Sequence, residues 1–172
     1  AYDKPFKAVP STLTSRVSIK NITDAMKKLV PTYQGYVPGG KQVLGVLKNA
    51  AGVVRYRNHL DLYVLAHELG HYLDFNVLKI RGFNKELIAG ARSVWKNGEY
   101  NKATPELTDF TYRGEGIAQF TMEYILNPEL AKENFPKYYE SFVRNLEKHP
   151  DVKKEVDNIA NLMRRWYTQT AE

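Results

Sequence analysis

Leu62-Tyr63-Val64-Leu65-Ala66-His67-Glu68-Leu69-Gly70-His71-Tyr72-Leu73-Asp74 is the stretch from which the rest of the chain is read. Leu62, Leu65, Leu69 and Leu73 recur at steps of three and four, the period of one helical face, and no proline interrupts residues 58–76. Only Gly70 weakens the expected helix. Two histidines four apart stand one above the other on such a helix, so the imidazoles of His67 and His71 can reach a single tetrahedral zinc ion. Glu68 lies about 100° round the helix from His67, where its carboxylate reaches a water on the metal without becoming a ligand. That is the geometry of a general base. The alternative is coincidence, two surface histidines beside an acid, but the pattern arises only about 0.005 times per shuffled chain of this composition. It also uses two of the four histidines present. The leucine stripe faces a core, which sets the histidines at a boundary between core and cleft.

Downstream of this helix the period stays helical. A second helix follows Asn84 through Leu87, Ile88, Ala91 and Trp95 and stops near Asn97-Gly98. A third runs from about Arg113 to Leu126. Asn127-Pro128 opens another, with Pro128 at its first position and Pro136 kinking or dividing it, and a last helix carries Val152, Val156, Ile159, Leu162, Met163 and Trp166. The Tyr138-Tyr139 pair and Trp166 read as core. Upstream, Gln42–Leu47 and Val53–Arg57 are β-rich runs joined by Lys48-Asn49-Ala50-Ala51-Gly52, a hairpin over 41–57. Within residues 1–40, Asn21 is placed to cap a short helix over Ile22–Val30 that Pro31 should end. The expectation is one domain over 1–172, α+β and predominantly helical: an amino-terminal segment, the hairpin, a helix over 58–76 and a helical part over 77–172.

A catalytic zinc needs a third protein ligand and one open position. The chain has no cysteine, which excludes thiolate ligands, thiol catalysis and a disulfide framework. Position 77 is Val and no histidine follows His71 until His149, so the third ligand should be a carboxylate. Glu115, in Tyr112-Arg113-Gly114-Glu115-Gly116-Ile117-Ala118-Gln119-Phe120, is the best placed: it opens an amphipathic helix, and the flanking glycines allow a neighbour's backbone to approach. Glu123 and Asp109 are the other candidates, and a first-turn acid stabilising a helix N-terminus is the alternative for Glu115 itself. Asp74, one turn beyond His71, either orients a histidine or caps backbone near the helix end. Tyr112 can bring a phenol near the metal as oxyanion donor, against the alternative of plain packing; Tyr100 is a weaker candidate for that role. Val54 and Arg55, on the strand just before the helix, can hold an extended substrate by main-chain hydrogen bonds, or the edge is merely solvated.

His67-Glu68-Leu69-Gly70-His71, with a Glu-x-x-Ala-Gln-Phe helix some forty residues later, resembles the gluzincin metallopeptidases, above all the anthrax lethal factor-like branch. It is also similar to metallopeptidase domains in large polyvalent proteins of phages and mobile elements. The resemblance covers residues 40–150 and is most specific at the HExxH stretch. It implies a zincin-like fold, one zinc ion held by His67, His71 and Glu115, and Glu68 as catalytic base. Gln119 departs from the acid often found four residues after the third ligand, and its amide can still donate or accept a hydrogen bond.

Composition sets the limits. Of 172 residues, 43% are hydrophobic and 26% charged, as in a globular protein with a real core. No apolar run approaches the roughly 20 residues of a membrane-spanning helix. The net charge of +6 comes from 25 bases and 19 acids. The bases are scattered, and Lys153-Lys154 and Arg164-Arg165 read as solvated faces rather than a nucleic-acid surface. Ala1-Tyr2-Asp3-Lys4-Pro5 has neither an initiating Met nor a signal-like apolar stretch, so it reads as the start of a fragment of a larger polypeptide. The expectation is a monomeric zinc endopeptidase acting on protein or peptide, without nucleic-acid or membrane partners, in the cytoplasm or delivered into a host cell. The rival is a non-catalytic zinc- or partner-binding module.

Overall fold

The computed structural model describes residues 8–32, 65–66, 69–95 and 109–169. The expected hairpin at 41–57, with Val54 and Arg55, and His67, Glu68 and Tyr100 lie outside them. Among the described residues the chain is predominantly helical and contains no strand.

Helix α1 spans Ile19–Thr32. It begins earlier than Asn21 suggests, because Ser18 is the capping residue: Asn21 N–H donates to Ser18 Oγ (3.2 Å) while Ser18 N–H donates to Asn21 Oδ1 (2.8 Å). Asn21 thus closes a reciprocal capping box from the third helical position. The helix also runs one residue past Pro31, which in the last turn removes only its own backbone donor. Its apolar face, Ile19, Ile22, Ala25, Met26 and Leu29, is buried.

Helix α2 covers the described residues 69–78. Residues 69–72 are α-helical, and Leu73–Leu78 continue as a π-helix closed by Lys79 N–H on the Asp74 carbonyl at 2.8 Å. Leu65, Leu69 and Leu73 are buried, as their period requires. The helix ends two residues beyond the expected Asn76, with Lys79 left-handed (φ 50°, ψ 42°) in place of a glycine. The following turn adds Gly82 (φ 87°) and Phe83 (φ 61°). For two non-glycine residues this is a strained backbone, worth about 1 kcal/mol or more each, that neighbouring structure must hold.

Helix α3 spans Asn84–Trp95, as expected, and α4 spans Asp109–Leu126, starting one turn before the expected Arg113. Pro136 divides rather than kinks: α5 is Pro128–Asn134 and α6 is Pro136–Glu147, each with proline in its first turn. Phe135, between them, offers no side-chain cap. Glu86 of α3 does this instead, its carboxylate accepting from the backbone N–H groups of Lys137 (3.2 Å) and Tyr138 (2.8 Å), where the helix dipole favours an anion. Helix α7, Pro150–Thr168, packs on α1 and buries Val152, Val156, Ile159, Met163 and Trp166.

Helix α4 is the axis of the molecule. It packs against α3, α5 and α7, and residues 115–123 are buried without interruption. Phe120 sits in an aromatic cluster with Phe135, Tyr138 and Phe142 at ring separations of 5.7, 4.7 and 5.0 Å. Tyr138 and Trp166 are core residues, as read from the sequence. Arg164 and Arg165 are not simply solvated. Arg164 donates to the Ile125 carbonyl at 3.2 Å, and Arg165 to the carbonyls of Thr14 (2.9 Å) and Ser15 (3.0 Å). Lys153 does stay at the surface, paired with Asp157 at 2.7 Å.

Candidate metal centre

A helix buried on every side is normally apolar throughout. Helix α4 instead carries Glu115, Gln119 and Glu123 one turn apart on a single buried stripe. Burying a carboxylate without compensation costs several kcal/mol, so each needs a partner or a purpose.

Three glycines mark where neighbouring helices approach α4 most closely. A Cβ added at Gly70 would lie 2.5 Å from Thr121 Oγ1 and 3.3 Å from Ile117 Cγ2, so α2 crosses α4 where Gly70 makes room for these two side chains. One residue on, His71 projects onto α4: a Cβ at Gly114 would lie 3.2 Å from its Cε1 and 3.8 Å from its Nε2. The Cε1–Nε2 edge of the imidazole therefore rests on α4 at Gly114, the residue before Glu115, which is 6% exposed. At Gly116 a Cβ would collide with the Leu87 backbone, which locks α3 against the same turn. Of the two glycines flanking Glu115, Gly116 thus admits a neighbour's backbone, while Gly114 meets a side chain, the His71 ring.

Because α4 begins at Asp109, Glu115 sits in its second turn rather than opening the helix. The reading of Glu115 as a first-turn acid loses its basis, since dipole stabilisation fades within one turn. Glu123 lies eight residues further, about 12 Å along the helix axis. It accepts from Asn134 Nδ2 at the start of the α5–α6 junction and shares a hydrogen bond with Gln119. Burial pushes its pKa up to about 7, and its Oε2 has no hydrogen-bond partner among the described residues. Glu123 serves the join between α4 and α5, away from His71, and Gln119 is its neighbour. Asp109 opens α4; its side chain, like that of Tyr112, lies outside the described part of the structure.

Asp74 is buried near the end of α2. Among the described residues its carboxylate faces Arg113, with Oδ2 3.6 Å from an Arg113 terminal nitrogen; it is the Asp74 backbone carbonyl, not the side chain, that closes the helix end. Burial raises the Asp74 pKa, and the guanidinium only partly offsets this. Arg113 also donates to the Ile80 carbonyl (3.1 Å) and to Asn84 Oδ1 (2.9 Å). The buried Tyr138 hydroxyl feels the same pair: burial and the negative Asp74 hold it well above the usual phenol range. Sequence reasoning quoted Arg113 within the Glu115 stretch and gave it no role, and it took Asn84 only as a helix start. No local spacing announces that one arginine joins two elements 29 to 39 residues apart in sequence.

Among the described residues no three His, Asp or Glu side chains form a metal-binding group. Of the three expected ligands, His71 and Glu115 are described and His67 lies outside the described residues. The donor types suit zinc: a half-buried imidazole, a buried carboxylate, no thiol. No helix among the described residues is long and apolar enough to cross a membrane. No family model, no curated protein and no solved structure matches the chain.

Proposed function

We propose that the chain is a zincin-like, zinc-dependent endopeptidase domain in which His67, His71 and Glu115 hold one zinc ion and Glu68 is the general base. The observation that supports it most is the seating of the His71 imidazole on Gly114, next to the buried Glu115. Imidazole and buried carboxylate, carried by two helices that meet at Gly114, are the donor types that zinc takes.

When bound, zinc supplies Lewis acidity, polarising the scissile carbonyl and lowering the pKa of water. Glu68 takes a proton onto its carboxylate and returns it to the leaving amine nitrogen. The Tyr112 phenol donates a hydrogen bond to the oxygen on which negative charge develops. Val54 and Arg55 align the extended peptide through their main-chain groups. The peptide bond is broken, water adds across it, and Glu68 ends as it began.

Glu68→Gln tests the assignment. Zinc stoichiometry, measured by elemental analysis, should stay at the wild-type level while cleavage of a peptide library, read by mass spectrometry, disappears. Loss of the metal would make Glu68 a ligand and overturn its role as base. A wild-type chain that binds zinc without cleaving any peptide would instead favour the non-catalytic binding module.

A further inference from the structure

We propose that Arg113 is the positioning residue of this metal centre, its single guanidinium fixing the gap between the helix that carries His71 and the helix that carries Glu115. The proposal rests on the zinc reading above.

The placement of its contacts carries it. Arg113 stands on α4 two residues before Glu115, and its neighbour Gly114 is the surface on which the His71 ring rests. From there it reaches three separate points: Asp74, three residues after His71 on α2; the Ile80 carbonyl, in the turn that follows; and Asn84, the first residue of α3. The Asp74 side chain is 7% exposed and that of Arg113 19%, so the pair is screened little by solvent. The strained turn between these points, with Lys79 and Phe83 left-handed, has no glycine at either position to relax it. Arg113 ties down both ends of that turn. With it in place, α2 cannot slide or roll on α4 without breaking a charged contact, and the His71-to-Glu115 spacing is fixed before a metal arrives. A fork of five donors suits three diverging acceptors; a lysine ammonium, a single point of charge, does not.

The test compares wild type with Arg113→Lys and Arg113→Ala, all at a temperature where circular dichroism shows each folded. Zinc affinity is measured by competition with a chromophoric chelator, and ligand geometry by the visible d–d absorption of the cobalt(II)-substituted chain. Arg113→Ala should weaken zinc by about tenfold to a hundredfold, the range for lost supporting contacts at metal sites, and should shift the cobalt band. Arg113→Lys, which keeps the charge and the stem, should restore the melting temperature without restoring the cobalt band. Wild-type zinc affinity and an unshifted cobalt band in either folded variant would overturn the proposal and leave the zinc reading standing. Failure of the wild-type chain itself to take up stoichiometric zinc would overturn both.

Discussion

Replacing Glu123 by glutamine should stabilise the protein at pH 8 and change nothing in acid. Glu123 is 2% exposed, and burial outweighs the hydrogen bonds from Asn134 and Gln119 in pushing its pKa up from 4.5 to about 7. The native state therefore holds this proton more tightly than the unfolded chain does. Below the unfolded value both states are protonated and the carboxyl contributes its full stability. As pH rises from the unfolded value through the folded one, the unfolded chain gains by ionising while the native state keeps its proton, until it too must release the proton and bury a charge, and that contribution is lost. At about 1.36 kcal/mol per unit of pKa difference, the loss approaches 3 kcal/mol by pH 8. Glutamine keeps an oxygen to accept from Asn134 and never ionises, so it escapes the loss. The stability difference between Glu123→Gln and wild type should grow from near zero below pH 4.5 to about 3 kcal/mol at pH 8. For a chain of this size that is about 6–12 °C in Tm. Urea titrations followed by circular dichroism between pH 4 and pH 8 measure it directly. A difference that does not vary with pH, or a Glu123→Gln protein less stable than wild type at pH 8, would show that Glu123 is not a buried, proton-holding carboxyl.

Gly116→Ala should destabilise the fold by about 3 kcal/mol, because its methyl has only the rigid Leu87 backbone to push against; a melt near wild type would mean that α3 is not locked at that point. Gly114→Ala should leave stability nearly unchanged but displace the His71 ring and weaken zinc about tenfold, which chelator competition would detect. The same assay should find Glu115→Ala far weaker in zinc than Glu123→Ala, and equal losses would refute the choice of ligand. Val54→Pro or Arg55→Pro should raise KM or abolish turnover with zinc affinity unchanged, since proline removes a main-chain donor; wild-type kinetics in both would show that this strand does not hold the substrate.

What could be read from the sequence was whatever depends on local period and on proline. Leu65, Leu69 and Leu73 announce the buried face of α2, Asn84 the start of α3, Pro128 the start of α5 and Pro136 the break after it, because each signal acts within one or two turns. The close approach at Gly114 and Gly116 was also legible, since a glycine on each side of an acid in a helix has few other uses. Ser18 and Asn21 are both good caps, and which one stands outside the helix depends on where Ile19, which is buried, must lie. The partners of Asp74 and the character of Glu123 could not be read at all. Both depend on which side chain a distant helix delivers: Arg113 in one case, Asn134 in the other.

Asn161 and Arg165 of α7 and Gln169 at its end follow one another at single-turn intervals, and each holds residues 11–17: Asn161 the Ser11 hydroxyl and the Thr12 N–H and hydroxyl, Arg165 the carbonyls of Thr14 and Ser15, Gln169 the Val17 N–H and carbonyl. These contacts span about 150 positions of sequence, and α7 is also a floor for α4. During synthesis the ribosome releases α1 long before α7 exists. At about 5–20 residues per second, the apolar side of α1 waits on the order of ten seconds for its cover. The helix that bears Glu115 waits as well. Both helices are covered only once α7 has emerged and packed against them.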